Sequence, residues 1–277
     1  MPSVSSIMLG YTRKVWGYSS YVYGAGGEIG STTTMVSKPV TVSIVVPALN
    51  EAARIEGCLQ RLCSDFPGCE LVVVDGGSTD ETFDLAAQHA RTVRSAAGRA
   101  TQMNAGAALT SGDILWFIHV DCQVPPEALD LLRRAVADPG AVGGGLQLSF
   151  DQRTPGLDYL AVSSNQRARR LHWIFGDQAM FVRREVFESV GGFPELPLME
   201  DLELSRILRR RGRLAVLPAT VTASARRLIK QGPWRMTVLM QLLKLQYFLG
   251  VDPERIRRRY EAGTRRGRRR RPATARY

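Results

Sequence analysis

Several things are scarce in this sequence of 277 residues, and each absence removes a class of protein. No run reaches the roughly 18 apolar residues that a membrane-crossing helix needs, and no hydrophobic segment follows Arg13 and Lys14 as a secretory leader would require. Cysteine is limited to Cys58, Cys63, Cys69 and Cys122, without a CxxC pair or zinc-type spacing. A disulfide framework and a zinc ribbon are therefore not expected, and the thiols read as the reduced cysteines of a cytosolic enzyme. The three histidines, His89, His119 and His172, make no HExxH pattern. A glycine-rich stretch at residues 24–30 lacks the third glycine of a dinucleotide loop, since Ile29 occupies its place and no strand precedes it.

The net charge of +11 suggests a nucleic-acid protein until it is located. From Arg255 onward there are eleven arginines against the single acid Glu261, which leaves about one positive charge over the other 254 residues. A near-neutral body argues against a nucleic-acid interface, so no specific nucleic-acid partner is expected. Residues 1–38 read as a flexible extension, 39–252 as the folded domain and 253–277 as a disordered arginine-rich tail.

From residue 41 a regular rhythm begins. Short β-branched runs at 42–47, 71–74, 91–94 and 114–120 read as strands, with helical spacing between them at 51–63 and 99–109 and a helix opening at Pro125 and Pro126. Ser78 and Glu81 suit a capping box for a helix reaching residue 89. Further strands are expected at 143–150, 179–182 and 214–217, and helices at 156–173, 200–211 and 234–250. Strands alternating with helices indicate an α/β fold with a mainly parallel central sheet flanked by helices. The helix at 234–250, amphipathic and followed by arginines, is suited to an anionic membrane surface.

Ligands of such sheets meet the ends of the strands. Asp75 ends one apolar run before two glycines and can accept from a nucleobase or ribose, or simply close the turn. Asp80 reads as a helix-terminal structural acid. Asp121 follows the 114–120 run, where a carboxylate can hold Mg²⁺ or Mn²⁺ against a diphosphate, and His119, two positions earlier, shares its side of a strand. Glu200 and Asp201 open a helix, either as dipole partners or with one acting as general base. Arg226 and Arg227 lie in an expected loop, where paired guanidiniums suit a diphosphate or a solvated surface.

In order, PALNE (47–51), VVVDGGSTDE (72–81), GRATQMNAG (98–106), WFIHVD (116–121), LMEDLELS (198–205) and the arginine pair resemble the inverting glycosyltransferases of family 2, with the GT-A fold. They are most similar to the bacterial subgroup labelled arsenosugar-biosynthesis type, related to carotenoid-acid glycosyltransferases. The resemblance covers roughly residues 41–252. It implies transfer of a sugar from a UDP- or GDP-sugar to a hydroxyl or carboxyl acceptor, either lipid-like (a carotenoid or polyprenyl) or a small metabolite. By resemblance, Pro47, Asn50, Glu51 and Asp75 line the nucleoside pocket with Arg99 nearby. Asp121 matches the last acid of the metal motif, with His119 where the first acid is expected, and Asp201 matches the catalytic base. Arg226 and Arg227 would meet the diphosphate, and Gly176, Asp177, Gln178 and Glu200 the acceptor. A nucleotidyltransferase making a sugar nucleotide is the alternative. The expected location is the cytoplasm, with attachment to the inner face of the cell membrane.

Overall fold

The structure, a computed structural model, describes residues 40–268; the extension at 1–38 and the end of the arginine tail at 269–277 lie outside the described residues. The first half runs β1 (Val42–Ala48), α1 (Ala52–Asp65), β2 (Glu70–Asp75), α2 (Thr82–Ala87), β3 (Arg91–Arg94), α3 (Arg99–Ala108), β4 (Ile114–Phe117), β5 (Cys122–Gln123) and α4 (Ala128–Ala137). The second half runs β6 (Ala141–Phe150), α5 (Pro155–Leu171), a 3-10 turn (Gly176–Gln178), β7 (Phe181–Arg183), α6 (Arg184–Ser189), α7 (Glu200–Leu208), β8 (Arg213–Ala223), α8 (Arg226–Gln231), α9 (Pro233–Phe248) and α10 (Pro253–Arg268).

Among the described residues the strands form one eight-stranded sheet in the order β3-β2-β1-β4-β7-β6-β8-β5. The β3-β2-β1-β4 portion is parallel throughout. The remainder is mixed: β7 runs antiparallel to both β4 and β6, β6 and β8 are parallel, and β5 is antiparallel to β8. The fold is therefore α/β as expected, with uninterrupted parallel pairing in the first half and mixed pairing in the second. Alternate residues feed two cores on opposite faces of the sheet. Ile44, Val46 and Trp116 join α1 and α4 on one side, while Val45, Leu115 and Phe117 join α3 on the other. Gly106 lets α3 approach closely, since a Cβ there would sit 2.3 Å from Val45 Cγ1.

Several expectations require correction. The strand at 114–120 ends at Phe117, because the chain turns there: the Cys122 N–H donates to His119 O at 3.0 Å and starts β5. His119 and Asp121 are thus turn residues, and the strand-parity argument for their shared side does not apply. No capping box forms at Ser78 and Glu81, because Ser78 is engaged with Asp75 and helix α2 starts only at Thr82. Asp80 is structural, as expected, but it also accepts from Ala52 N–H at 3.3 Å and so closes the start of α1. The segment from 253, expected to be disordered, is helical through Arg268: Ile256 is buried, and Arg257 is bonded to Glu254 and Glu261 at helical spacing. Arg226 and Arg227 open α8 rather than lying in a loop.

Helix α9 is not amphipathic in the expected sense. Met236 and Leu243 are buried, while Trp234, Val238, Leu242, Leu245 and Leu249 project outward, each at least 51% exposed. The helix is apolar on both faces. On its inner side it joins α7 and α10 in a third small core around Leu198, Met199, Leu202 and Ile256.

Candidate active site

The C-terminal ends of β1 and β2 lie side by side, with Ala48 paired to Asp75. Asn50, in the left-handed backbone region at φ 53°, accepts from Thr79 N–H at 2.9 Å and donates its own N–H to Ser78 Oγ at 2.9 Å. Asp75 is fully buried and accepts from the N–H groups of Gly77 (3.1 Å) and Ser78 (3.0 Å) and from the Ser78 hydroxyl. Its carboxylate is committed to the turn, in line with the simpler of the two roles open to it in the sequence. Gln102 of the GRATQMNAG segment, passed over in the sequence, donates to Ala48 O and Val74 O, both at 2.8 Å, and holds the two strand ends together. Pro47 lies within β1, and the turn carrying Asn50 follows directly.

Glu51, expected at the nucleoside, is only 6% exposed and faces arginines instead. Arg226 donates to both of its oxygens at 2.9 and 2.8 Å, Arg227 to one at 2.8 Å, and Arg54 approaches at 3.3 Å. A single carboxylate therefore gathers three guanidiniums, and Nε of Arg226 is buried without a partner.

Next to this lies the acidic centre. Asp201 Oδ2 accepts from Gly176 N–H at 2.9 Å and Oδ1 from Leu202 N–H at 2.7 Å. The His119 ring packs on Gly176 so closely that a Cβ there would lie 2.7 Å from Cε1 and 3.7 Å from Asp201 Oδ2. Burial draws the His119 imidazole down to about 4, with the Arg99 charge adding to it and Asp121 and Asp201 opposing. Neutral at ordinary pH, its Nε2 is buried and has no hydrogen-bond partner. Asp177 is pushed up to about 6, mainly by burial, and its Oδ1 is likewise unpartnered.

Among the described residues no three His, Cys, Asp or Glu side chains are assembled to hold a metal ion. A neutral imidazole nitrogen without a partner, close to the Asp121 charge, nevertheless fits a divalent cation whose other ligands are water and diphosphate oxygens, the usual manner of Mg²⁺ and Mn²⁺.

Three expected contacts are spent elsewhere. Glu200, 2% exposed, receives Arg99 Nε at 2.9 Å and ties α7 to α3, so neither faces an acceptor or nucleoside as a free group. Burial raises the Glu200 carboxyl to about 7, against the pull of Arg99. Gln178 is buried and donates to Leu146 O at 3.0 Å while accepting from Arg167 at 2.8 Å, so it belongs to the scaffold. Of the expected acceptor set, Gly176 and Asp177 remain at the centre. Met199, buried with φ 72°, turns the chain sharply just before Glu200 and Asp201, a strained conformation of the kind that accumulates at functional sites.

Two cations escaped the sequence reading. Arg167 of α5 lies 3.5 Å from the Phe175 ring centroid, and Lys244 of α9 lies 5.7 Å from the same centroid. A signal was available: Lys244 is the only charged residue between Met236 and Leu249.

Comparison with known proteins gives a consistent result. Residues 43–191 match the family described as Glycosyl transferase family 2. A beta-monoglucosyldiacylglycerol synthase of Synechocystis is 32% identical over 192 residues, 59% of this chain and 39% of that protein. A PGL/p-HBAD biosynthesis glycosyltransferase of Mycobacterium tuberculosis is 34% identical over 173 residues, 54% of this chain and 62% of that protein. The matched region thus spans less than two thirds of either relative. Among solved structures, the mannosyltransferase PcManGT of Pyrobaculum calidifontis, in complex with GDP-Man and Mn²⁺, aligns with TM-score 0.52 at 21% identity over 82% of this chain and 74% of that one. Glucosyl-3-phosphoglycerate synthase of Mycobacterium tuberculosis, in complex with Mg²⁺ and UDP, aligns with TM-score 0.50 at 26% identity over 67% of this chain and 70% of that one.

Proposed function

Because this chain belongs to glycosyl transferase family 2 and shares the fold of the GT-A glycosyltransferases, we propose that it transfers a sugar, with inversion, from a UDP- or GDP-sugar to an acceptor alcohol or acid. The observation that carries this reading is the convergence of Asp201, Gly176 and His119. It joins an oriented carboxylate to an unpartnered metal-type ligand, and the charge of Arg227 reaches the same imidazole.

In this mechanism Asp201 is the general base. Its two backbone hydrogen bonds fix the carboxylate while leaving it lone pairs, so it can take the acceptor's proton as that oxygen attacks the anomeric carbon. Arg226 and Arg227 stabilise the departing diphosphate through charge-assisted hydrogen bonds, with Glu51 holding the pair ready. The turn built by Pro47, Asn50, Asp75 and Gln102 shapes the nucleoside side. Asp121 and Nε2 of His119 are the residues that would hold Mg²⁺ or Mn²⁺, whose charge offsets that of the leaving diphosphate. Catalysis then consists of positioning and electrostatic stabilisation.

Within the family, the order of motifs favours the arsenosugar-biosynthesis and carotenoid-acid type, with a lipid-like or small-metabolite acceptor. We also propose that the protein lies on the anionic inner face of the cell membrane. No described helix is long and apolar enough to cross a membrane. An exposed apolar face still needs a partner, and α9 packs against α10, which carries the exposed Arg255, Arg258 and Arg259.

The test is an incubation with UDP- and GDP-sugars, with and without Mn²⁺, followed by analysis of the released nucleotide. Release of UDP or GDP is expected. Formation of a sugar nucleotide and pyrophosphate from UTP or GTP with a sugar 1-phosphate in a parallel incubation, without release of UDP or GDP in the first, would identify the nucleotidyltransferase and overturn the reading.

A further inference from the structure

Arg167 and Lys244 present an electrostatic oddity. Both are at least partly buried, they repel each other, and among the described residues neither forms an ion pair within 4.0 Å. Arg167 is held by neutral groups: Nε donates to Trp173 O at 3.3 Å, one terminal nitrogen donates to Gln178 Oε1 at 2.8 Å, and the guanidinium lies over Phe175. Lys244 reaches the same ring from α9. Cation–π contacts and neutral acceptors compensate only part of the cost of removing two like charges from water. Burial brings the Lys244 ammonium down to about 8, with Arg167 adding to the effect and Asp177 and Asp201 opposing it.

Position separates this pair from the donor side. The charges acting on both cations are those of Asp177 and Asp201, whereas Arg226 and Arg227 are gathered on Glu51. Both cations lie at the ring of Phe175, whose neighbour Gly176 bonds Asp201, and among the described residues they share no hydrogen-bond partner with Arg226 and Arg227. An oxyanion shared by the guanidinium and the ammonium would supply the close ion-pair partner that neither has, and a hydroxyl on the same molecule would lie towards Asp201.

We propose that Arg167 and Lys244 form an anion subsite beside Asp201, and that the acceptor carries a carboxylate or phosphate close to the oxygen that receives the sugar. This rests on the glycosyl-transfer reading of the site and narrows its acceptor to an acidic one.

The test is calorimetric, with three small probes that share hydroxyls and differ in charge: glycerate, glycerol 3-phosphate and glycerol. Each is titrated into the full chain, its Lys244→Gln and Lys244→Arg variants, and separately UDP is titrated with Mn²⁺. At least one anionic probe is expected to bind tenfold or more tightly than glycerol. Lys244→Gln should remove that preference, Lys244→Arg should keep it, and UDP affinity should be the same in all three proteins. Preference for glycerate identifies a carboxylate acceptor, and preference for glycerol 3-phosphate a phosphate. Anionic probes binding no better than glycerol, or equally well to Lys244→Gln, would overturn the subsite. Failure of UDP to bind strikes at the donor reading instead, so the two failures are distinct.

Discussion

Gly176 donates its backbone N–H to Asp201 Oδ2 over 2.9 Å while its Cα supports the ring of His119. One residue without a side chain therefore sets the spacing between the Asp201 carboxylate and the imidazole. Gly176→Ala would force the His119 ring away, since the new methyl falls 2.7 Å from Cε1. Displacements of about 1 Å at a reacting centre cost roughly a hundredfold in rate. A fall in kcat of tenfold to a hundredfold is expected in steady-state assays of nucleotide release, with the fold retained by circular dichroism.

Asp201→Asn removes the proposed base but retains an acceptor for the Gly176 N–H. Loss of a general base lowers turnover by about 10² to 10⁴. Donor binding, measured by calorimetry with UDP and Mn²⁺, should be unchanged. Retention of most of kcat would show that another group takes the proton.

Arg227 is 64% exposed, so its removal should leave stability almost unaltered. A charge-assisted hydrogen bond to an anion contributes about 1.5 to 3 kcal/mol. Arg227→Ala should accordingly weaken UDP binding roughly tenfold to a hundredfold while leaving uridine binding as it was. Equal losses for both ligands would move the arginine from the diphosphate to the nucleoside.

Asp177 supplies a test in pH. Its carboxyl is raised to about 6 when folded, from an ordinary value of 3.8, so the folded protein binds the proton more tightly than the unfolded chain. Its contribution to stability is complete below pH 3.8 and is lost as pH rises through about 6. Asp177→Asn escapes that loss. Urea unfolding should find the variant level with the parent near pH 4 and more stable by about 3 kcal/mol above pH 7. An advantage independent of pH would remove the burial argument.

The outward face of α9 can be tested without touching the core. Leu245 and Leu249 are 55% and 73% exposed, so Leu245→Asp with Leu249→Asp should shift the melting temperature little. Sedimentation with phosphatidylserine-containing vesicles should show binding by the parent protein and at least a tenfold loss in the double variant. Equal sedimentation of the two would end the membrane proposal for this face.

The alternation of β-branched runs with helical spacing was legible because strands β1, β2 and β4 are buried on both sides, which leaves short, unbroken apolar runs. Helix α10 was obscured because its arginines imitate a disordered tail; Ile256 and the ladder from Glu254 through Arg257 to Glu261 hold it. The motif residues were legible as a set, but their individual roles were not. Arg99 with Glu200 and Glu51 with Arg226 are pairs separated by 101 and 175 positions, and no periodicity relates such distances.

The residue types, their order and most of the strands near them follow from the sequence alone, because local apolar periodicity is written within a few neighbouring residues. Which acids stay available was decided only by the tertiary structure. Asp75 is consumed by its own turn, Glu51 and Glu200 are neutralised by distant arginines, and Asp201 is held by two backbone N–H groups with lone pairs to spare. The reason is electrostatic: a buried carboxylate takes its chemistry from the charges and donors packed around it, and these come from parts of the chain that meet only when it folds.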